Sequence, residues 1–244
     1  MKIQPQSGLG DLLFTFPLIE SLLYKGEQVT IATNHSYALN HYHSEFGHQI
    51  QTVPVEFTGP VPKLKDGFTK LKYSRYRAHY FDSYYSTGGI MTLQCAVDKA
   101  RWKIIKAAEH KAFRFTAAPY CVYAMPRAAN RHKAARNFSC APDADYAGRR
   151  VLMSGLPIVT VGQNEVFCEN QKQYGDFNLI DRLSFYELVS VVMNAQRVIS
   201  QISAVTALAG LLGVETDFLP ARNETPALHA AHVAGVVWPG QKVI

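Results

Sequence analysis

Ser7-Gly8-Leu9-Gly10-Asp11-Leu12-Leu13-Phe14-Thr15-Phe16-Pro17-Leu18 is the stretch on which the fold of this chain turns. It follows a short strand at residues 2–4 and opens an apolar helix over about 12–24, which Gly26 ends. Gln28-Val29-Thr30-Ile31-Ala32-Thr33 then reads as the next strand. Strand, helix and strand with short connections make a β-α-β unit, and hence a parallel sheet with a right-handed crossover. Glycines in the first turn let the backbone approach a ligand closely, and the helix start behind them favours negative charge. The dinucleotide fingerprint G-x-G-x-x-G would need a glycine at position 13; Leu13 stands there, which disfavours a nicotinamide cofactor. The carboxylate that follows, Asp11, suits either a helix cap or, if it points toward a ligand, a general base. Pro17 fits a helical pattern only if the regular helix starts near Thr15 or Phe16, with the residues before it in a looser turn.

The same alternation returns downstream. Residues 53–57 read as a strand that Pro54 demotes to an edge or an ending. Residues 92–108 read as a helix with Leu93, Ala96, Val97, Ala100, Ile104 and Ile105 near one face. A second series begins with a strand at 120–125, between Pro119 and Pro126, followed by a short helix at 146–153 and a strand at 157–162 with a glycine stop. Ser184-Phe185-Tyr186-Glu187 is a capping box. The helix it opens carries Phe185, Leu188, Val189, Val192 and Met193 on one stripe. A strand at 197–200, a helix at 204–212 stopped by Gly213 and a strand at 214–219 complete the series. The expected organisation is α/β: two Rossmann-like domains with parallel sheets, residues 1–118 and 119–244, whose ligands lie at the carboxyl ends of the strands.

The 244 residues are 48% hydrophobic and 18% charged, an ordinary globular composition, and the formal charge of +6 with pI ≈ 9.1 suits anionic ligands such as nucleotide diphosphates or nucleic acid. The four cysteines, Cys95, Cys121, Cys140 and Cys168, form no C-x-x-C pair and read as reduced thiols. The histidine pairs His41/His43 and His229/His232 lack a third ligand nearby, so no metal site is expected. No apolar run approaches the roughly 20 residues of a membrane span, and the N-terminus lacks a secretory layout, so a soluble cytoplasmic protein is expected.

The stretch 7–18 resembles the opening of the heptosyltransferase-like family 9 glycosyltransferases, where G-x-G-D leads into an apolar segment with a T-x-P step. Residues 183–200 resemble that family's "sL.el..ll..a..vi" segment. Gln201-Ile202-Ser203-Ala204-Val205-Thr206-Ala207-Leu208-Ala209-Gly210-Leu211-Leu212-Gly213-Val214 is similar to its diphosphate-gripping stretch N-D-S-G-x-x-H-x-A-x-x-x-G-V. Three positions depart: the family's Asp falls on Ile202, its Gly on Ala204 and its His on Ala207. The resemblance implies a GT-B architecture of two facing domains, the second holding a nucleotide-sugar donor. It implies inverting transfer to an acceptor hydroxyl with Asp11 as general base, and neither metal nor cofactor.

On that reading, Gly8 and Gly10 approach the donor and the helix start at Ser203, Ala204, Val205 and Thr206 holds its phosphates. Arg131 and Lys133, in a basic loop after the first strand of the second half, stabilise the leaving diphosphate. Gln163 and Glu165, past a strand end, meet the nucleoside. Ser203 reads equally as a helix cap only, and Glu165 as an exposed turn residue. In the tract 63–77, Lys70, Lys72, Arg75 and Arg77 are expected to meet an anionic acceptor, either a glycan such as a lipopolysaccharide core or a nucleic acid; a solvated loop has the same composition. The chain is short for this family, as expected of a reduced, phage-type enzyme acting on modified DNA bases. The rival expectations are a noncatalytic nucleotide-sugar or nucleic-acid binding protein of the same fold and a sugar-nucleotide epimerase.

Overall fold

The computed structural model describes residues 1–6, 8–58, 61–71, 73–74, 77–78, 81, 84, 91–109, 119–124, 148, 150–151, 153–162, 175–220 and 224–244. The chain forms two compact units, Met1–His110 and Lys111–Ile244. The boundary expected after residue 118 follows a stretch, 110–118, that lies outside the described residues. Among the described residues no helix is long and apolar enough to cross a membrane.

The first unit begins with strand β1 (Lys2–Gln4), helices α1 (Leu9–Phe14) and α2 (Phe16–Tyr24), and strand β2 (Val29–Ala32). The helical stretch is divided at Thr15: α2 starts at Phe16, as Pro17 implies, while the residues before it form α1 rather than a looser turn. An unbroken helix would drive the Pro17 ring into the carbonyl four residues earlier. Here Pro17 occupies the second position of α2, where no intrahelical donor is needed, and the Thr15 hydroxyl donates to the Leu12 carbonyl at 2.6 Å. Helix α3 (Asn40–Phe46) precedes β3 (Ile50–Val53). The strand expected at 53–57 thus lies earlier, and Pro54 ends it, because a proline cannot donate to the ladder. Past the proline, the Asn34 side chain stands in for a neighbouring strand: its Oδ1 accepts from the Val55 amide at 2.9 Å.

Two short antiparallel pairs follow, β4 (Phe57–Thr58) with β5 (Val61–Pro62), and β7 (Tyr73–Ser74) with β8 (Arg77–Ala78). Between them β6 (Thr69–Lys70) joins the main sheet, whose order is β3-β2-β1-β6 with every pairing parallel. Helix α4 (Leu93–Glu109) buries Leu93, Ala96, Val97, Ala100, Ile104 and Ala108, the expected face with Ala108 added and Ile105 at its half-buried edge. It packs on α2. Covered on one side by α4 and on the other by the sheet, α2 buries every residue from Phe16 to Leu23, Glu20 and Ser21 included.

The second unit holds β9 (Cys121–Ala124), β10 (Ile158–Val161), β11 (Phe177–Asn178), helix α5 (Phe185–Met193), β12 (Arg197–Ser200), helix α6 (Ala204–Leu212), β13 (Glu215–Phe218) and helix α7 (Pro226–Ala234). Gly148, Arg150, Val151 and Met153 are helical, within the short helix expected at 146–153. The sheet order is β11-β10-β9-β12-β13, all parallel, the 3-2-1-4-5 order of a Rossmann sheet. The capping box at α5 is formed: the Ser184 amide donates to Glu187 Oε2 at 2.7 Å and the Glu187 amide to Ser184 Oγ at 3.4 Å. Of its expected stripe, Phe185, Val189 and Val192 are buried, while Leu188 and Met193 are half-buried. Gly213 closes α6 in the left-handed region, φ 78°.

Candidate functional site

Asp11 is not the N-cap of α1. The backbone is already helical at Leu9; Gly8 is the cap and Asp11 the third helical residue. Its Oδ2 reaches back to accept the Gly8 amide at 3.0 Å, so the carboxylate satisfies a helix-start donor and its negative charge lies at the positive end of the helix. This explains the Gly-x-Gly-Asp spacing in atoms. A Cβ on residue 8 would stand 2.8 Å from Asp11 Oδ2, so only glycine leaves the carboxylate in place. Asp11 and Gly10 are half-buried.

The loop carrying these residues leaves β1 where the strand order turns back on itself, between β1 and β6. In open parallel sheets such a reversal opens a crevice at the carboxyl ends of the strands. Gln4, fully buried, fixes what stands beside it. Its Nε2 donates to the Lys63 carbonyl at 2.9 Å and its Oε1 accepts the Lys65 amide at 3.0 Å, tying the start of the basic tract to the end of β1. Lys70 ends β6 in register with Gln4. Lys70 is thereby brought to the same sheet end as the glycine loop. Arg77 is paired in β8 with Ser74, its side chain undescribed; Lys72 and Arg75 lie outside the described residues.

The second unit repeats this geometry. Its order reverses between β9 and β12, and the helix start at Ser203 follows β12 directly. The Ser203 amide donates to Thr206 Oγ1 at 2.8 Å, and the Thr206 amide donates to Ser203 Oγ at 3.4 Å. Ser203 is therefore a helix cap. Ser200, which the sequence reading passed over, ties the two reversing strands: its hydroxyl donates to the Ala124 carbonyl at 3.1 Å and lies 3.3 Å from Ser203 Oγ. The first-turn amides of Ala204 and Val205 have no acceptor within the helix and carry its positive end. Ala204 is half-buried, whereas Val205 and Thr206 are buried. Of the departures from the family pattern, Ile202 is 39% exposed and Ala207 is 1% exposed, a packing position. Arg131, Lys133, Gln163 and Glu165 lie outside the described residues; the Gly162 that precedes the last two accepts the Asp181 amide at its carbonyl, at 3.0 Å.

Two other clusters have structural roles. Burial pushes the Cys121 thiol up to about 12, which keeps it protonated and unreactive. His229 and His232, paired in sequence without a third group, share Glu224: His229 Nδ1 is 3.1 Å from Oε2, and His232 Nδ1 bonds Oε1. His229 Nε2 meets the Phe218 carbonyl at 3.0 Å, pinning α7 to the end of β13. Among the described residues no group of three potential ligands is arranged to hold a metal ion.

No protein-family model and no curated protein sequence matches the chain. Its fold, however, matches solved structures. The iron-containing dodecameric glycosyltransferase TibC of enterotoxigenic E. coli superposes with a TM-score of 0.56 at 14% identity over 88% of this chain. A family 9 glycosyltransferase of Veillonella parvula gives 0.51 at 11% identity over 89%. The ADP-heptose lipopolysaccharide heptosyltransferase II of E. coli gives 0.51 at 11% identity over 100%. The chain spans 56% of the length of TibC, 79% of the Veillonella protein and 89% of heptosyltransferase II. TibC is also known in complex with ADP-D-β-D-heptose. The resemblance read from residues 7–18 and 183–214 agrees with this likeness: the chain has the GT-B-type α/β fold of heptosyltransferases and family 9 glycosyltransferases.

Proposed function

We propose that the protein is an inverting glycosyltransferase that moves a sugar from a nucleotide-diphosphate donor to an acceptor hydroxyl. The observation that carries this reading is the pair of sheet reversals, each with its chemistry at the carboxyl ends: a carboxylate anchored at the first helix start, and a capped helix start in the second unit. The second supplies backbone amides and a helix dipole for phosphates without needing particular side chains, which suits a chain with Ile202 and Ala207 in place of the family's acid and histidine. In the first, Asp11 accepts the Gly8 amide through Oδ2, and its carboxylate is the group that would serve as base for the acceptor. It would take the acceptor proton as the hydroxyl oxygen attacks the anomeric carbon and the bond to the diphosphate breaks. Arg131 and Lys133 would stabilise the departing charge, and Gln163 and Glu165 the nucleoside. The ADP-heptose named for two of the structural neighbours makes ADP-sugars the first donors to try. For the acceptor, Lys70, Lys72, Arg75 and Arg77 favour an anionic molecule, a glycan core or a nucleic acid.

A second reading, a nucleotide-sugar binding protein without turnover, is favoured by the same departures at Ile202, Ala204 and Ala207. A thermal-shift panel of nucleoside diphosphates and ADP-, UDP- and GDP-sugars tests the shared part of both. A donor that binds the folded chain at about 100 times its dissociation constant adds about 2.7 kcal/mol of stability, a rise of several degrees. Stabilisation by a nucleotide sugar with slow release of free nucleotide diphosphate, accelerated by acceptor, is expected. Binding with no release under any acceptor favours the second reading, and no stabilisation by any member rejects both.

A further inference from the structure

Tyr24, at the end of α2, and Trp102, on α4, are the two most exposed aromatic rings among the described residues, at 61% and 60%. Both line a groove of about 820 Å³ whose described lining residues all belong to the first unit, on and beside α2, α3 and α4. We propose that this groove is a second glycan-binding site, in which a neutral pyranose ring stacks on Trp102.

The rings are held in place. Lys99 Nζ sits 4.8 Å from the Tyr24 ring centre and Lys106 Nζ 4.9 Å from that of Trp102, so each side chain is braced by a cation–π contact while most of its surface stays exposed. The floor is an ion cluster of buried Glu20, half-buried Lys103 and exposed Glu45. Lys103 Nζ bridges Glu20 Oε2 and Glu45 Oε1, each at 3.1 Å, and lies 4.2 Å from the Phe46 ring centre. On the rim, Asp98 is fixed by Gln94 Nε2 at 2.9 Å and by Arg101 at 3.3 Å.

This chemistry selects the class of ligand. Among the described lining residues, Lys99 and Lys103 are outnumbered by Glu20, Glu45 and Asp98, so these do not attract a polyanion. Donors (Lys99, Lys103) and acceptors (Glu20, Glu45, Asp98) line the same groove as the two exposed rings. A neutral sugar matches that pattern, since its hydroxyls both give and accept hydrogen bonds and its C–H face is apolar.

The groove lies at the far end of α2, whose nine residues place Tyr24 about 12 Å along the helix from Phe16. The proposal rests on the glycosyltransferase reading for its purpose, holding a distant part of a glycan acceptor, but not for its test.

The chain has two tryptophans, and Trp238 is 1% exposed, so acrylamide quenching of fluorescence reports on Trp102. Neutral gluco-, galacto- and manno-configured oligosaccharides are titrated, with calorimetry in parallel. At least one should bind saturably and shield Trp102 from quencher. Calorimetry should show the affinity falling about tenfold or more in Trp102→Ala and falling also in Tyr24→Ala. Both variants should melt at the wild-type temperature, because the rings are exposed. Asp11→Asn should bind these sugars normally. No binding by any panel member overturns the proposal, as does affinity unchanged by Trp102→Ala. Trp102-dependent binding of phosphatidylglycerol vesicles without sugar binding also overturns it, in favour of a membrane contact. Because the readout is binding, each of these failures leaves the transfer reading intact.

Discussion

At the scale of single residues, position 8 explains more of the glycine motif than ligand approach does. A glycine in a first turn is commonly read as room for a phosphate; here it is room for Asp11. Gly8→Ala should therefore dislodge the carboxylate from its backbone donor and cost about 0.5–2 kcal/mol, the range for a lost helix-start bond. A wild-type chemical-denaturation midpoint in the variant would contradict this. His41 gives a pH-dependent counterpart. Its ring lies 4.3 Å from that of Tyr42 and 5.6 Å from that of Phe16, centre to centre. Burial first, then the charges of Lys103 and His43, holds its pKa down to about 3. An unfolded histidine titrates near ~6.5, so between these values the unfolded chain takes up a proton that the folded one refuses. His41 thus contributes stability that is fully present above about pH 6.5 and drains away as pH falls toward 3. Urea midpoints should decline between about pH 7 and about pH 4.5, and His41→Phe should flatten the decline; an equal slope in both proteins would refute the assignment.

At the scale of elements, local signals were legible where one residue's chemistry sets the conformation. Gly213 stops α6, Ser184 and Glu187 open α5, and Pro17 forces a new helix start, each as the sequence implies. They misled where context decided. Pro54 does end a strand, one of its two readings, but that strand is not 53–57: β3 pairs with β2 from Ile50 onward. Asp11 reads as a helix cap or a base because aspartate favours caps, yet the backbone turns helical at Leu9 and Gly8 is the cap. Contacts between distant segments left no local trace. The last residues of the chain clip onto β13 through a bridge from Thr216 to Val243, and the Gln241 side chain bonds the Thr216 hydroxyl at 3.0 Å. This clip depends on Gly210 in α6. A Cβ there would run into the Trp238 ring and stand 2.6 Å from Gln241 Oε1. Gly210→Ala should destabilise the protein by about 1–3 kcal/mol, as overpacking does, despite alanine's better helix propensity. A variant as stable as wild type would mean that the clip yields freely.

At the scale of the molecule, the alternation of apolar strands and helices was enough to foresee two parallel-sheet units, because both faces of such a sheet must be covered. The order of the strands was not legible, since parallel register is set by pairings far apart in sequence. That order brings Lys70 to the sheet end from which the glycine loop leaves, and Ser200 beside Ala124. The groove of Tyr24 and Trp102 likewise exists only once α4 has packed on α2. Transfer itself is tested most directly by Asp11→Asn assayed with the donor and acceptor that the wild type uses. Asparagine can still accept the Gly8 amide at its side-chain oxygen but cannot take a proton. The expected result is a loss of turnover of about 100-fold or more, with donor binding and melting temperature close to wild type. Turnover at the wild-type rate in a folded Asp11→Asn protein would contradict the role of Asp11 and with it the proposed mechanism.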